Sequence, residues 1–364
     1  MEEDLGYRRI QRAGRGSYVI SLPKSWVQKI GLMKGSELAF KEQDGSAMLL
    51  VPRKITERRK ETEEAAVKEC SVYVERKDDP RSVCRKIVAL YVVSSGIIRV
   101  RFKSNEIVED HKKSIGNLVK DALLGSEIID ETADEITIKI LINHHQFPVE
   151  RAIRRMAILA LSAIDDAVSA LKGMDQELIQ DVVDARNDVN RLNLYVIRQL
   201  KFGLEENLFE ELGFRTPKES LGYRIVANDI KSMADSAMNI ARKVTAFKKM
   251  IADQMLFLKE TVDEEAYSQI LDFNSLAHRL FEDSLSALFK RDYENADRLI
   301  SKIESSATRE DDLIAVISSK KLDPNVLSIL SLVLDNSRRT IEYSRNIAEV
   351  TLNRTVEEVS APDP

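Results

Sequence analysis

Two phrases decide the fold: "ADSAMNIARKV" (residues 234–244) and "IEYSRNIAEVT" (residues 341–351). Asn239-Ile240-Ala241 recurs as Asn346-Ile347-Ala348, and in each phrase an acid, Asp235 or Glu342, stands four residues earlier. A repeated phrase at the end of two long helical stretches points to an internal duplication. Everything beyond Phe147-Pro148 reads as helix, with breaks near Gly173, at 203–217, near Asp263, at Arg291 and at Asp323-Pro324. About six helices follow, grouped as two all-α three-helix bundles, 147–258 and 262–354.

Working back toward the N-terminus, the pattern changes. "SEIIDETADEITIKILI" (residues 126–142) reads as a hairpin. It follows a strand at 70–75, a helix at 80–95, a strand at 96–102 and a helix at 106–124. The order β-α-β-α-β-β over 70–146 implies a small α/β sandwich with its helices on one face. Residues 55–69, in the charged stretch "KITERRKETEEAAVKE", form a linker. Residues 1–54 are strand-like and rich in turns. In "RRIQRAGRGSYVISLPKSWVQKIG" (residues 8–31) apolar and polar residues alternate from Ser17 to Leu22, Pro23 starts a short helix over 24–30, and Gly31 ends it. Residues 32–52 read as a strand, an Asp44-Gly45 turn and a second strand. So small a β unit makes a poor independent core and is expected to complete itself in a homodimer.

Composition narrows the function. Residues 1–60 hold 13 Lys+Arg against 7 Asp+Glu, whereas the remainder holds 42 against 53. A basic head on an acidic body suggests a polyanion partner for the head. The start is not a signal peptide and no apolar run reaches the length of a membrane span, so a cytoplasmic protein without membrane insertion is expected. Cys70 and Cys84, the only cysteines, give neither a disulfide framework nor an all-cysteine zinc site.

Catalytic signatures are missing. Gly14-x-Gly16 lacks both a third glycine and the Gly-Lys-Ser/Thr of a phosphate loop, and neither a G-x-S-x-G elbow nor an H-E-x-x-H helix occurs. His144-His145 reads as an exposed pair at a strand end, and His111 and His278 as surface or boundary residues. No enzyme is expected. Two clusters remain. Arg8, Arg12 and Arg15 flank the glycines, with Arg9 and Lys24 nearby, and the set reads either as a solvated basic hairpin or as a contact for phosphate or guanine. Asp181, Asp184 and Asp188 share one helix face, which reads either as a solvated face or, with carboxylates from neighbouring helices, Asp235 first, as a holder for a hard or borderline cation.

Residues 9–52 resemble the AbrB/SpoVT-type swapped-hairpin DNA-binding domain, through Gly14 and Gly16, Val19-Ile20-Ser21-Leu22-Pro23-Lys24, Gly31-Leu32, Lys34-Gly35 and Asp44-Gly45. The resemblance implies that two chains interleave their hairpins into one small β barrel. It also implies that DNA is met by Arg8, Arg12 and Arg15, with Arg9 and Lys24 as seconds. The helical part is similar to the PhoU family of phosphate-uptake regulators, on "DARNDVNRLNLYVI" (residues 184–197), "LGYRIVANDIKSMADSAMNIA" (221–241) and "NSRRTIEYSRNIAE" (336–349).

In that family a Glu-Arg-Ile-Gly-Asp motif, with acids on a neighbouring helix, can carry a metal cluster on each bundle. Here the motif becomes Lys231-Ser-Met-Ala-Asp235 in the first half and Arg338-Arg-Thr-Ile-Glu342 in the second. The ligand sets that the resemblance carries over, for a divalent or iron-type metal, are Asp184, Asp188 and Asp235, then Glu304, Asp311 and Glu342. A cation in place of the first acid repels a metal and is free to pair with acids instead.

Together the resemblances imply a phosphate-responsive DNA-binding regulator. The alternative is a PhoU-like adaptor for a phosphate-transporter ATPase or a sensor kinase, its head serving only to dimerise. A metal-dependent protein is a third possibility, against which the replaced motif acids argue.

Overall fold

The structure is a computed structural model that describes residues 7–14, 16–43, 47–52, 68–93, 95–103, 108–142, 147–173, 175–206, 208–252, 264–319 and 324–360. The chain divides into two compact units, residues 1–67 and 68–364.

The first unit is two hairpins and a short helix. Strand β1 (Gln11–Ala13) pairs antiparallel with β2 (Ser17–Val19), Arg12 lying opposite Tyr18. Gly14 (φ 65°) and Gly16 (φ 122°) make the turn in backbone conformations that side chains with a Cβ rarely adopt. The sequence alternation to Leu22 predicts a longer second strand, but pairing stops at Val19 because β1 offers only three residues. Helix α1 (Lys24–Lys29) follows Pro23, whose carbonyl accepts from Val27 N–H at 3.0 Å; Leu32 N–H closes the helix end onto Val27 O at 3.0 Å. Strands β3 (Leu38–Gln43) and β4 (Ala47–Pro52) form the second hairpin. The Asp44-Gly45 turn lies outside the described residues, as does most of the 55–69 linker. The two hairpins form separate two-stranded sheets. Among the described residues of this unit only Pro52 is buried.

The second unit begins with a four-stranded sheet in the order β5-β6-β8-β7. Strand β5 (Glu69–Val74) runs parallel to β6 (Ile97–Phe102), with helix α2 (Pro80–Val92) between them; Asp79 caps α2 by accepting from Ser82 N–H at 3.0 Å. Helix α3 (Val108–Ala122) leads to the hairpin of β7 (Ser126–Glu131) and β8 (Glu135–Ile140). Alternate strand residues, among them Val72, Val74, Ile98, Val100, Ile136 and Ile138, meet Val83, Ile87, Tyr91, Ile115 and Val119 of the helices in one apolar core. His111 is 3 % exposed, its Nε2 3.0 Å from Asp78 O and its ring edge-on to Phe102. It is a core residue, not the surface or boundary residue its isolation in the sequence suggests: α3 turns that side chain onto the β5–α2 loop. His144 and His145 lie outside the described residues.

Helices α4 (Val149–Gly173), α5 (Gln176–Glu205) and α6 (Glu219–Ala252) pack on one another. So do α7 (Glu264–Lys290), α8 (Tyr293–Ser319) and α9 (Pro324–Val359). The helix break read near Asp263 falls outside the described residues. A single apolar core runs through all six helices, and α6 lies against α9. At that crossing a Cβ on Gly222 would stand 2.6 Å from Val350 Cγ1, so glycine sets how closely the helices approach.

Candidate functional site

The basic cluster sits on the first unit. Arg8, Arg9, Arg12 and Lys24 are all exposed, and no carboxylate pairs with any of them among the described residues; Arg15 lies outside these. Arg8 Nη1 donates to Tyr7 O at 2.9 Å. The β1–β2 register sets Arg12 across from Tyr18, which is 73 % exposed, so a guanidinium and an aromatic face share one side of the hairpin. Pairing of that kind suits a polyanion carrying stacked bases. Sequence reasoning left Tyr18 out, although its position across the Gly14/Gly16 turn could have found it.

The residues of the two acidic sets are spread over four helices, α5, α6, α8 and α9. Asp181, Asp184 and Asp188 are exposed along α5, Asp184 accepting from Gln180 Nε2 at 3.0 Å. Asp235 Oδ1 accepts from Arg186 Nε at 2.9 Å, and its Oδ2 from Lys231 Nζ at 2.5 Å. Burial alone would raise the Asp235 carboxyl, but these two cations outweigh it and hold the group below its usual range. In the second half Arg338 pairs with Glu342, with Asp335 at 2.8 Å and with Glu310 at 3.5 Å; Glu304 lies 3.8 Å from Arg345, and Asp311 is exposed. Among the described residues no three His, Cys, Asp or Glu side chains come together as a metal-ligand group. In each half a cation binds the acid four residues further on, Lys231 with Asp235 and Arg338 with Glu342.

Two charged joints appear only in three dimensions. Glu219 (6 % side-chain exposure) is gripped by Arg354 (7 %) and by Arg291 at 3.0 Å, while Arg354 also reaches Tyr223 Oη at 2.8 Å and Leu288 O at 3.1 Å. Burial pushes the Glu219 carboxyl up, but the Arg215 amide and the arginines more than offset it, and the net shift is downward. The second joint holds α5 to the sheet domain. Arg198 Nη1 donates to Tyr91 O (2.6 Å) and Ser95 O (2.9 Å), satisfying carbonyls at the end of α2, and Leu194 packs against the sheet core.

The fold thus defines a class: a small basic β unit joined to a larger body of one α/β sheet and six helices. Comparison with known families makes it specific. Residues 153–244 match the family model of the PhoU domain, and residues 11–58 match that of "Antidote-toxin recognition MazE, bacterial antitoxin". The chain therefore carries a PhoU domain and a MazE/AbrB-like domain. Among solved structures it is similar to the phosphate transport system regulatory protein PhoU from Streptococcus pneumoniae (16% identity, TM-score 0.45, 59% of this chain and 96% of that one). PhoU from Pseudomonas aeruginosa is similar at 18% identity and TM-score 0.45, over 57% of this chain and 96% of that one. No curated protein matches the chain. Among the described residues no helix is long and apolar enough to cross a membrane.

Proposed function

We propose that this protein is a phosphate-responsive transcription regulator, non-enzymatic and cytoplasmic, that works as a dimer. Two copies of the first unit interleave their hairpins into one barrel and present Arg8, Arg9, Arg12, Arg15 and Lys24 to DNA. The PhoU domain and its repeat sense or relay phosphate status, and a ligand or partner on the helices alters how the two basic hairpins are held. The observation that carries this reading is the state of the first unit in one chain. Its hairpins leave Tyr18, Ile20, Phe40 and Met48 between 50% and 73% exposed, while its arginines are free of carboxylate partners among the described residues. An apolar surface of that extent on so small a unit calls for a cover, and unpaired guanidiniums call for an anion.

Retention of the full chain on duplex DNA, including its own upstream region, as salt is raised tests the reading. The logarithm of affinity should fall steeply with the logarithm of salt. Arg12→Ala/Arg15→Ala removes these two arginines from each copy and should flatten the slope by about 4, roughly one unit for each phosphate the dimer leaves without its arginine. A chain that fails to bind at low salt ends the DNA reading. The adaptor reading, with a transporter ATPase or sensor kinase as partner, gains from the match to an antitoxin family and from the same exposed apolar side chains. It predicts binding to protein with no salt-dependent DNA retention.

A further inference from the structure

Among the described residues the four-stranded sheet has two open edges, and they differ. Edge strand β7 carries a bulge between Ile128 and Asp130 and the acids Glu127, Asp130 and Glu131, devices that discourage an edge from pairing. Edge strand β5 is regular along its whole pairing with β6, and from Cys70 to Val74 it has no charge, no proline and no bulge. The backbone of Lys68 and Val74 faces β6, since Lys68 O accepts from Gly96 N–H (2.9 Å) and Val74 O from Lys103 N–H (3.1 Å). By the two-residue period of a strand, the backbone groups of Glu69, Ser71 and Tyr73 point out of the sheet edge. Alongside runs an open groove of about 470 Å³ between β5 and α2, lined by Ser71, Val72, Tyr73, Lys86, Ala89 and Leu90.

We infer that β5 pairs antiparallel with β5 of a second copy, about a two-fold axis at Ser71, and so doubles the sheet across the dimer. The inference rests on the dimer reading above and extends it to the second unit. Two features favour a second copy over a foreign strand. The first is tethering: Lys68 follows Pro52 by 16 positions, a span of at most about 60 Å. Two chains joined at their first units therefore hold their β5 strands at high effective concentration. The second is self-complementarity. With the axis at Ser71, Glu69 lies opposite Tyr73, Cys70 opposite Val72 and Lys68 opposite Val74, so no like charges meet. Moving the axis to Val72 would set Glu69 against Glu75. Glu69 is already neutralised by Arg99 at 2.7 Å, and Tyr73, 54 % exposed in one chain, would gain a cross-strand neighbour. Ala89, small and exposed on the groove side of α2, leaves room for the partner's groove wall.

Disulfide trapping in the full chain tests this. Directly opposed residues of a hydrogen-bonded antiparallel pair stand about 5.5 Å apart at Cα, within disulfide reach. In a Cys70→Ser/Cys84→Ser background, Ser71→Cys should cross-link under mild oxidation at least about tenfold more than Glu127→Cys on the guarded edge. Ser71→Pro, which removes an outward N–H that an edge strand can spare, should fold normally yet lose the amide protection of Tyr73. Sedimentation keeps the two readings apart. A dimer that does not cross-link at Ser71→Cys, or that cross-links equally at Glu127→Cys, overturns the edge pairing and leaves the first-unit dimer standing. Cross-linking that survives Phe40→Asp supports the edge pairing even where the first unit no longer joins. A monomer without cross-links overturns both, and Tyr73 protection without self-cross-linking assigns the edge to a foreign strand and overturns the inference.

Discussion

Phe40 lies mid-strand in β3 and Val100 mid-strand in β6, yet Phe40 is 65 % exposed and Val100 wholly buried. Both stand in sequence that reads as strand. The difference is what each strand has to lie against. Strand β6 has a neighbour on either side, and α2 and α3 cover one face, so every second residue reaches a core. Strand β3 has only β4, and among the described residues of its unit Pro52 alone is buried. A two-stranded hairpin is marginal on its own, whereas a sheet with a helical layer is not. The second unit buries its strand faces within one chain, whereas the described residues of the first leave Phe40 and Met48 exposed.

The largest test of this contrast lies in the second unit. Arg354→Ala leaves the Glu219 carboxylate buried with Arg291 as its main remaining cation, and should cost about 3–5 kcal/mol of unfolding free energy. Urea titration followed by far-ultraviolet circular dichroism measures it. Fluorescence of Trp26, the only tryptophan and a residue of α1, reports the first unit separately and should move little. An equal loss in both signals would break the contrast.

Phe40→Asp probes the other side. Were Phe40 solvated in the working protein, the change would fall within about 0.5 kcal/mol. If it is covered by a second chain, the Trp26 transition should lose about 2 kcal/mol, the worth of one buried aromatic. The parent's Trp26 transition should also shift with protein concentration, while the helical transition shifts far less.

The smallest effect concerns Asp229, 8 % exposed on α6, with a hydrogen bond from Asn346 Nδ2 of α9 at 3.0 Å. Burial raises this carboxyl, and the Asn346 bond offsets only part of the rise. The folded chain therefore holds the proton more tightly than the unfolded one. Stability contributed by this group is lost as pH rises from the ordinary carboxylate range through the raised value, and the loss is complete above it. Asp229→Asn removes the penalty and should stabilise the second unit by about 1 kcal/mol at neutral pH. The gain over the parent should shrink toward zero in acid; a gain independent of pH would show that the charge is not its source.

Much of this was legible in the sequence. The repeated Asn-Ile-Ala phrase marks equivalent positions on α6 and α9, and the breaks at Gly173, 203–217 and Arg291 fall where described helices end. Periodicity sufficed there because helix and strand burial repeat locally. The Gly14/Gly16 turn and its basic flanks could be read as well, though not that Tyr18 stands beside Arg12. The ion pairs were not legible. Lys231 and Asp235 are four residues apart and could be paired by counting, but Arg186 comes from α5, 49 positions away. Glu219 meets Arg354 across 135 positions, and Arg198 reaches Tyr91 across 107.

The sequence by itself determined the order of elements, the recurrence of Asn-Ile-Ala at 239–241 and 346–348, and the basic head. Those features depend on spacing along the chain, which strand and helix geometry convert directly into faces. Only the tertiary structure decided that Asp235 is shared between Lys231 and Arg186, that Arg198 closes the end of α2, and that β5 rather than β7 is the unguarded edge. Each of these depends on which elements become neighbours. Neighbours are chosen by the burial of whole apolar faces, and the charges then meet whatever that packing brings within reach.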